Sequence, residues 1–138
     1  MNLRSNNLIK KVEEIKEEEK AKVTYRGWAG HFVGSPKCAF RLNTLIEYKN
    51  IKIVVSTVGR MIMNSEIVEI GRGRYYETMA FHAIRKNGYW DADIRHTIDF
   101  SSEWQYRNKH DEKAVNDGHI KVVNEIVNGL ESGHTYES

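Results

Sequence analysis

The chain contains only one cysteine and one proline among its 138 residues, and it has no long apolar run. A single thiol, Cys38, cannot form an internal disulfide, which favours a reducing compartment. No apolar stretch approaches the roughly 18 residues that a membrane-spanning helix requires, and the N-terminus lacks the apolar core of a signal peptide. The sequence therefore predicts a single domain located in the cytoplasm, with no membrane as a partner.

Sequence motifs for cofactor, metal and nucleophile chemistry are also missing. Residues 71–74 read GRGR, but neither the GxGxxG nor the GxxxxGKS/T phosphate-binding pattern is present. Asp91 and Asp93 stand at strand spacing, without a second histidine or carboxylate motif to complete a metal site. His82 near Asp93 resembles a base with its orienting carboxylate, but no serine or cysteine is evidently placed beside them. We therefore expect no cofactor, no metal and no enzymatic activity.

Charge is unevenly distributed along the chain, although the net charge is only +2. Residues 22–110 contain 14 basic and 8 acidic side chains, whereas residues 111–138 contain 2 basic and 6 acidic ones. A cationic middle segment indicates a small anionic ligand. The surplus is too small and too scattered for a surface that binds duplex DNA or RNA, so a nucleic-acid polymer is not an expected partner.

The hydrophobic pattern divides the chain into three segments of one domain spanning residues 1–138. Residues 1–21 contain a predicted N-terminal helix with a narrow apolar stripe, formed by Leu8, Val12 and Ile15. Residues 22–110 are rich in β-branched and aromatic residues and form a β-rich core. Residues 111–131 show the broad apolar face of a long C-terminal helix. The predicted fold class is α+β, a small and mainly antiparallel β-sheet with a helix at each end.

Two turns predict β-hairpins in the β-rich core. A two-residue turn at residues 49–50 would pair Glu47 with Lys52, an attractive cross-strand contact. The dipeptide Asn87-Gly88 is a strong signal for a type I′ turn, because both central residues of that turn need a positive φ angle.

The second hairpin has two possible registers. With a two-residue turn, Phe81 pairs with Ile94 on an apolar face, and His82 lies opposite Asp93 on a polar face. A shift of one residue moves Phe81 to the face that carries Asp91 and Asp93. The register decides whether Phe81 belongs to the core or to a binding site, and the sequence leaves both open.

Several segments of the chain resemble the first type of Thoeris anti-defence protein, a family encoded by phages. The segments are YRGWAGHF, FRLNTLIEY, IVVSTVG, GRGRYYETMAFHA, YWDADI and HIKVVNEI. The resemblance extends from about Val23 to Leu130 and is weakest at the two ends of the chain. It implies a protein that sequesters glycocyclic ADP-ribose, a signal that TIR enzymes make from NAD, without cleaving it. It also implies that the protein acts in the cytoplasm of the infected bacterium.

The same resemblance implies binding residues and an oligomer. In the family, an aromatic residue on a strand and an arginine nearer the C-terminus hold the adenine, and the matching positions are Phe81 and Arg107. A polar residue after the hairpin lies close by, which matches Asp91. A second site, for a cyclic trinucleotide, resembles the pair Arg26-Gly27. Family members form dimers that assemble further into hexamers, so we expect a homodimer or a higher homo-oligomer.

Two other functions stay open from the residues themselves. The chain could be a small interaction protein that inhibits a host factor through its charged surface, with no small ligand. Alternatively, it could be a hydrolase in which His82 and Asp93 work together.

Overall fold

The computed structural model describes residues 20–27, 31 and 34–136 of the chain. These residues form seven β-strands, a short 3₁₀-helix at Ser35–Lys37 and one α-helix. The strands are β1 (Lys22–Arg26), β2 (Cys38–Tyr48), β3 (Ile51–Met63), β4 (Glu66–Val68), β5 (Tyr76–Lys86), β6 (Tyr89–Ile98) and β7 (Gln105–Tyr106), and the helix is α1 (Glu112–Glu131). The predicted N-terminal helix lies almost entirely outside the described residues, and Lys20 and Ala21 are not helical.

All the strands belong to one antiparallel sheet. Its main order is β1-β2-β3-β5-β6. Strand β4 pairs with the C-terminal end of β3, and β7 pairs with the N-terminal end of β5. The central strand β3 is buried from residue 53 to residue 59, because it has neighbours on both sides and is covered on both faces. This arrangement confirms the α+β fold class, the mainly antiparallel sheet and the long C-terminal helix.

Helix α1 covers one face of the sheet. Its buried residues recur at spacings of three and four, which places them on a single stripe. This stripe packs on strand residues that include Ile46, Ile53, Val55 and Ala80. The helix ends where Gly133 adopts a φ angle of 85°, which lets the N–H of His134 donate to the Gly129 carbonyl at 2.8 Å.

The hairpin turns agree with the sequence prediction. Glu47 pairs with Lys52 across the turn at residues 49–50. At the second hairpin, Arg85 pairs with Trp90, and Asn87 and Gly88 have φ angles of 52° and 85°, as a type I′ turn requires.

Of the two registers left open, the one with a two-residue turn holds from Lys86 to Ala83, but its pairing of Phe81 with Ile94 does not form. Phe81 pairs with Thr97, while Ala83 pairs with Ala92, so residues 93–96 bulge out of the ladder opposite the single residue His82. A bulge inserts residues into one strand only, and the simple register therefore fails beyond it. For the same reason His82 does not face Asp93.

The sheet is strongly curved around the face opposite α1, which we call the concave face. In a flat sheet, β1 and β6 would lie about 19 Å apart, since four strand spacings separate them. Nevertheless, Nη1 of Arg26 on β1 donates to the carbonyl oxygen of Trp90 on β6 at 2.8 Å. The two edge strands therefore approach each other across the concave face.

Candidate functional site

The middle of the concave face contains a buried polar cluster. The imidazole of His31 shares a hydrogen bond with the Ser56 hydroxyl at 2.9 Å and donates to the Glu77 carboxylate at 2.8 Å. Its ring lies 5.5 Å from the ring of Phe81. The hydrogen bond from His31 lowers the pKa of Glu77, against the opposing effect of burial, and Arg74 adds to the lowering.

Ser56, His31 and Glu77 form a series of hydroxyl, imidazole and carboxylate, which is the order of a hydrolase triad. The burial of this series argues for a structural role. Ser56 has an exposed fraction of 0 %, so its hydroxyl cannot reach a substrate in this conformation. The other candidate pair does not form either. Asp93 makes ion pairs with Arg95 at 3.1 Å and with His96 at 3.0 Å, and His82 is not among its partners.

Arg26 and Asp91 come together near the second hairpin. Arg26 is half-buried, and its Nε donates to the Asn43 amide oxygen at 2.8 Å. Burial lowers the pKa of Arg26, although the nearby Asp91 and Glu47 favour its charged form. The Asp91 carboxylate itself accepts the backbone N–H of Ala92 at 2.8 Å.

The surroundings of this pair are cationic and aromatic. The Lys52 ammonium lies 5.7 Å from the centre of a Trp90 ring, and the Arg85 guanidinium lies 5.4 Å from it. Gly27 follows Arg26 directly and is exposed, and among the described residues a Cβ atom at this position would meet no atom within 4 Å.

Arg107 lies at the other end of the sheet, in a group that we call the basic corner: Arg72, Gly73, Arg74 and Arg107. The loop before β5 closes by a bridge between Gly71 and Arg74, and Gly73 has a φ angle of 72°. A Cβ atom at Gly73 would stand 2.6 Å from Nη1 of Arg107, so the glycine allows the guanidinium to approach the loop backbone.

The three arginines of the basic corner differ in their ion-pair partners. Arg74 makes an ion pair with Glu77 at 3.4 Å, and its guanidinium lies 5.9 Å from the ring of Trp104. Within the described part of the chain, Arg72 and Arg107 have no ion-pair partner, and both are exposed. These two guanidiniums are therefore available to an anion.

The structure does not gather all the predicted site residues within one chain. Tyr76 pairs with Tyr106, the residue before Arg107, and Phe81 lies five residues further along β5, about 17 Å away. The ring of Phe81 is 2 % exposed. Phe81, Arg107 and Asp91 therefore stand at separate places in the chain.

Sequence reasoning missed three residues of this arrangement: His31, Arg74 and Trp104. His31 and the pair Arg74 and Trp104 are brought to their partners by strand pairing between distant segments. Arg74 and Trp104 are 30 positions apart in the sequence, and no local pattern links them. The GRGR motif was the only available signal, and it predicts a basic loop without showing what lies beside it.

No protein-family model, curated protein or solved structure matches the chain. Over the described ranges, no helix is both long enough and apolar enough to cross a bilayer. In the same part of the chain, no three His, Cys, Asp or Glu side chains cluster in a way that could hold a metal ion.

Proposed function

We propose that the protein binds glycocyclic ADP-ribose and sequesters it uncleaved, as the resemblance to Thoeris anti-defence proteins implies. The observation that carries this proposal is the pair Arg72 and Arg107 beside Gly73. An ADP-ribose derivative has two adjacent phosphates, and each guanidinium can donate two parallel hydrogen bonds to one phosphate. The Gly73 N–H already donates to the Glu69 carboxylate at 3.0 Å, and Arg107 fills the space beside the glycine, so the guanidiniums and not the loop backbone would contact the phosphates.

Sequestration without cleavage agrees with the buried state of the series Ser56, His31 and Glu77. Ser56 lies beneath His31 in the sheet and offers no attacking group to a bound nucleotide. A sponge requires affinity alone, which the exposed arginines can provide.

The other parts of the proposal rest on the same resemblance. The pair Arg26-Gly27 would form the second site, for a cyclic trinucleotide, and the cationic surroundings of Trp90 support an anionic ligand there. The oligomer would bring residues of two chains to one nucleotide. The place of action would be the cytoplasm of the infected host.

The proposal is tested by calorimetric titration with purified glycocyclic ADP-ribose, followed by heating and analysis of the released nucleotide. We expect saturable binding and release of the intact molecule. The variants Arg72→Ala and Arg107→Ala should each weaken binding by roughly 10- to 100-fold, since a hydrogen bond to a charged group contributes about 1.5–3 kcal/mol. Lys86→Ala, which removes an exposed cation at the opposite end of β5, serves as the control.

Each other outcome points to a different function. Release of cleaved products would show a hydrolase. A nucleotide that stays unbound at millimolar protein would contradict the proposal and favour the interaction protein.

A further inference from the structure

A cavity of about 220 Å³ opens beside the basic corner, at the edge of β5. It lies where β6 ends at Ile98 and before β7 resumes the pairing with β5 at Gln105. Residues on its wall include Met79, Ala80, Thr97, Asp99, Phe100 and Trp104. The gap between two strands on one edge therefore creates a recess with an aromatic lining.

The loop that forms the mouth of the cavity is firmly held. The Glu125 carboxylate on α1 accepts hydrogen bonds from the backbone N–H and the hydroxyl of both Ser101 and Ser102, at 2.7–3.0 Å. Although burial acts to raise it, the pKa of Glu125 is lowered by these four hydrogen bonds. The cavity therefore exists before any ligand enters, and binding does not have to order the loop.

Trp104 offers an open ring at this cavity. The side chain is 39 % exposed, and the Arg74 guanidinium lies 5.9 Å from its ring. Arg74 is in turn oriented by Glu77, which accepts the hydrogen bond from His31. An indole with a fixed cation beside it is suited to stack on a nucleotide base that carries phosphate.

We infer that this cavity is a base-binding subsite for a purine-sized ring that carries an amino group, and this inference rests on the proposed function. Small-molecule pockets usually enclose roughly 300–1,000 Å³, so a cavity of about 220 Å³ holds one ring system and not a whole dinucleotide. Asp99 is the charged residue in its wall, and a carboxylate accepts hydrogen bonds from the exocyclic amino groups of bases.

The location also fits a ligand that spans the cavity and the basic corner. Gly73 lies against Arg107, and the next residue, Arg74, lies against Trp104. Trp104 and Arg107 are three residues apart, about 10 Å of extended chain. A base in the cavity would thus leave its phosphates near Arg72 and Arg107.

The inference is tested by titrating ADP-ribose, adenosine and inosine into wild-type protein and Trp104→Ala, with calorimetry and tryptophan fluorescence. We expect adenosine to quench wild-type fluorescence and to leave the Trp104→Ala spectrum unchanged. The variant should bind ADP-ribose about 5- to 150-fold more weakly, because stacking on one base contributes about 1–3 kcal/mol. Ile120→Ala, which truncates an apolar side chain on α1 with the same exposed fraction of 39 %, is the matched control and should bind as wild type does.

A second variant, Asp99→Asn, tests whether the Asp99 carboxylate recognises the amino group of the base. It should reduce the preference for adenosine over inosine, which has an oxo group in place of the amino group. Trp104→Ala binding ADP-ribose as tightly as wild type would overturn the subsite and leave the proposed function standing. Quenching by adenosine in a protein that does not bind glycocyclic ADP-ribose would retain the subsite and overturn the proposed function. If adenosine does not quench the fluorescence and glycocyclic ADP-ribose does not bind, both the subsite and the proposed function are overturned.

Discussion

The ring of Phe81 occupies a closed position in the concave face, with 2 % of its surface exposed. It lies against the imidazole of His31 and pairs through its backbone with Val54, which is fully buried. A side chain in this position contributes to stability through the apolar area that it removes from water. The ligand contact that the family resemblance implies for Phe81 stays a prediction. It would require the residues that cover the ring, including His31, to move.

Substitutions at Phe81 distinguish a role in the core from a role in binding the ligand. Phe81→Ala should lower the free energy of unfolding by about 3–5 kcal/mol, as expected for the loss of a buried aromatic ring. Phe81→Leu preserves most of the volume and should cost clearly less. Both values are obtained by urea unfolding monitored by circular dichroism. If Phe81→Leu keeps its stability but loses nucleotide affinity, the ring is a stacking surface and not a core residue.

At the scale of elements, a chain of hydrogen bonds attaches α1 to three strands. His119 on the helix bonds to Thr44 on β2 at 2.7 Å and to Thr57 on β3 at 2.6 Å. Thr57 bonds in turn to Thr78 on β5 at 2.7 Å. All four side chains are buried, so each hydrogen bond satisfies a polar group that would otherwise destabilise the core.

This chain of bonds predicts a pH-dependent stability. Burial lowers the pKa of His119 to about 4 from an ordinary value of 6.5, so the unfolded chain takes up a proton at a higher pH than the folded one. Stability is therefore complete above pH 6.5 and falls as the pH drops from 6.5 towards 4. The loss amounts to about 3 kcal/mol, since each pKa unit corresponds to about 1.4 kcal/mol.

The measurement is urea unfolding at pH 7, 5.5 and 4 for wild type and His119→Leu. The variant lacks the titrating group, so its stability should fall by about 3 kcal/mol less over this range. Carboxylates such as Glu77 and Glu125 are present in both proteins and contribute equally. Identical slopes in the two proteins would show that His119 does not control the acid response.

The same elements show how far the sequence could predict this structure. The turn at Asn87-Gly88 and the stripe of α1 depend on neighbouring residues, so local patterns were sufficient to predict them. The bulge at residues 93–96 depends on how β5 meets both β3 and β6, and no local pattern reveals it. The hydrogen bonds of His119 could not be predicted either, because its threonine partners lie on distant strands.

The candidate site was predicted only in part, for the same reason. Arg107 was placed through the family resemblance, and the exposed guanidinium beside Gly73 is compatible with an anion contact. The cavity at Trp104 arises from a gap between β6 and β7 on one edge of β5, which is a property of the assembled sheet. Sequence periodicity contains no information about such a gap.

At the scale of the whole molecule, both edges of the sheet expose large apolar side chains. Tyr25 on β1 is 63 % exposed, and Ile94 in the bulge of β6 is 65 % exposed. Exposed apolar residues on edge strands are typical of surfaces that a partner covers. They support the expected homodimer.

We predict that light scattering after size exclusion gives a mass of at least twice 16.1 kDa at micromolar protein concentration. Ile94→Lys and Tyr25→Lys place a charge on one edge each, and the variant that dissociates identifies the edge that forms the dimer. Ile62→Lys, at a less exposed position on β3, is the control. A mass of one chain, with and without nucleotide, would contradict the dimer and weaken the sponge proposal.

The hydrogen bond from Arg26 to the Trp90 carbonyl has a consequence for how much of this protein a cell can tolerate. A protein that sequesters its ligand without cleaving it, as proposed above, must accumulate to high concentration, where open strand edges cause aggregation. Arg26 occupies a backbone acceptor on the edge strand β6, and the bulge that follows places Asp93, Arg95 and His96 along the same edge. Blocking groups of this kind on a sheet edge favour solubility under overproduction.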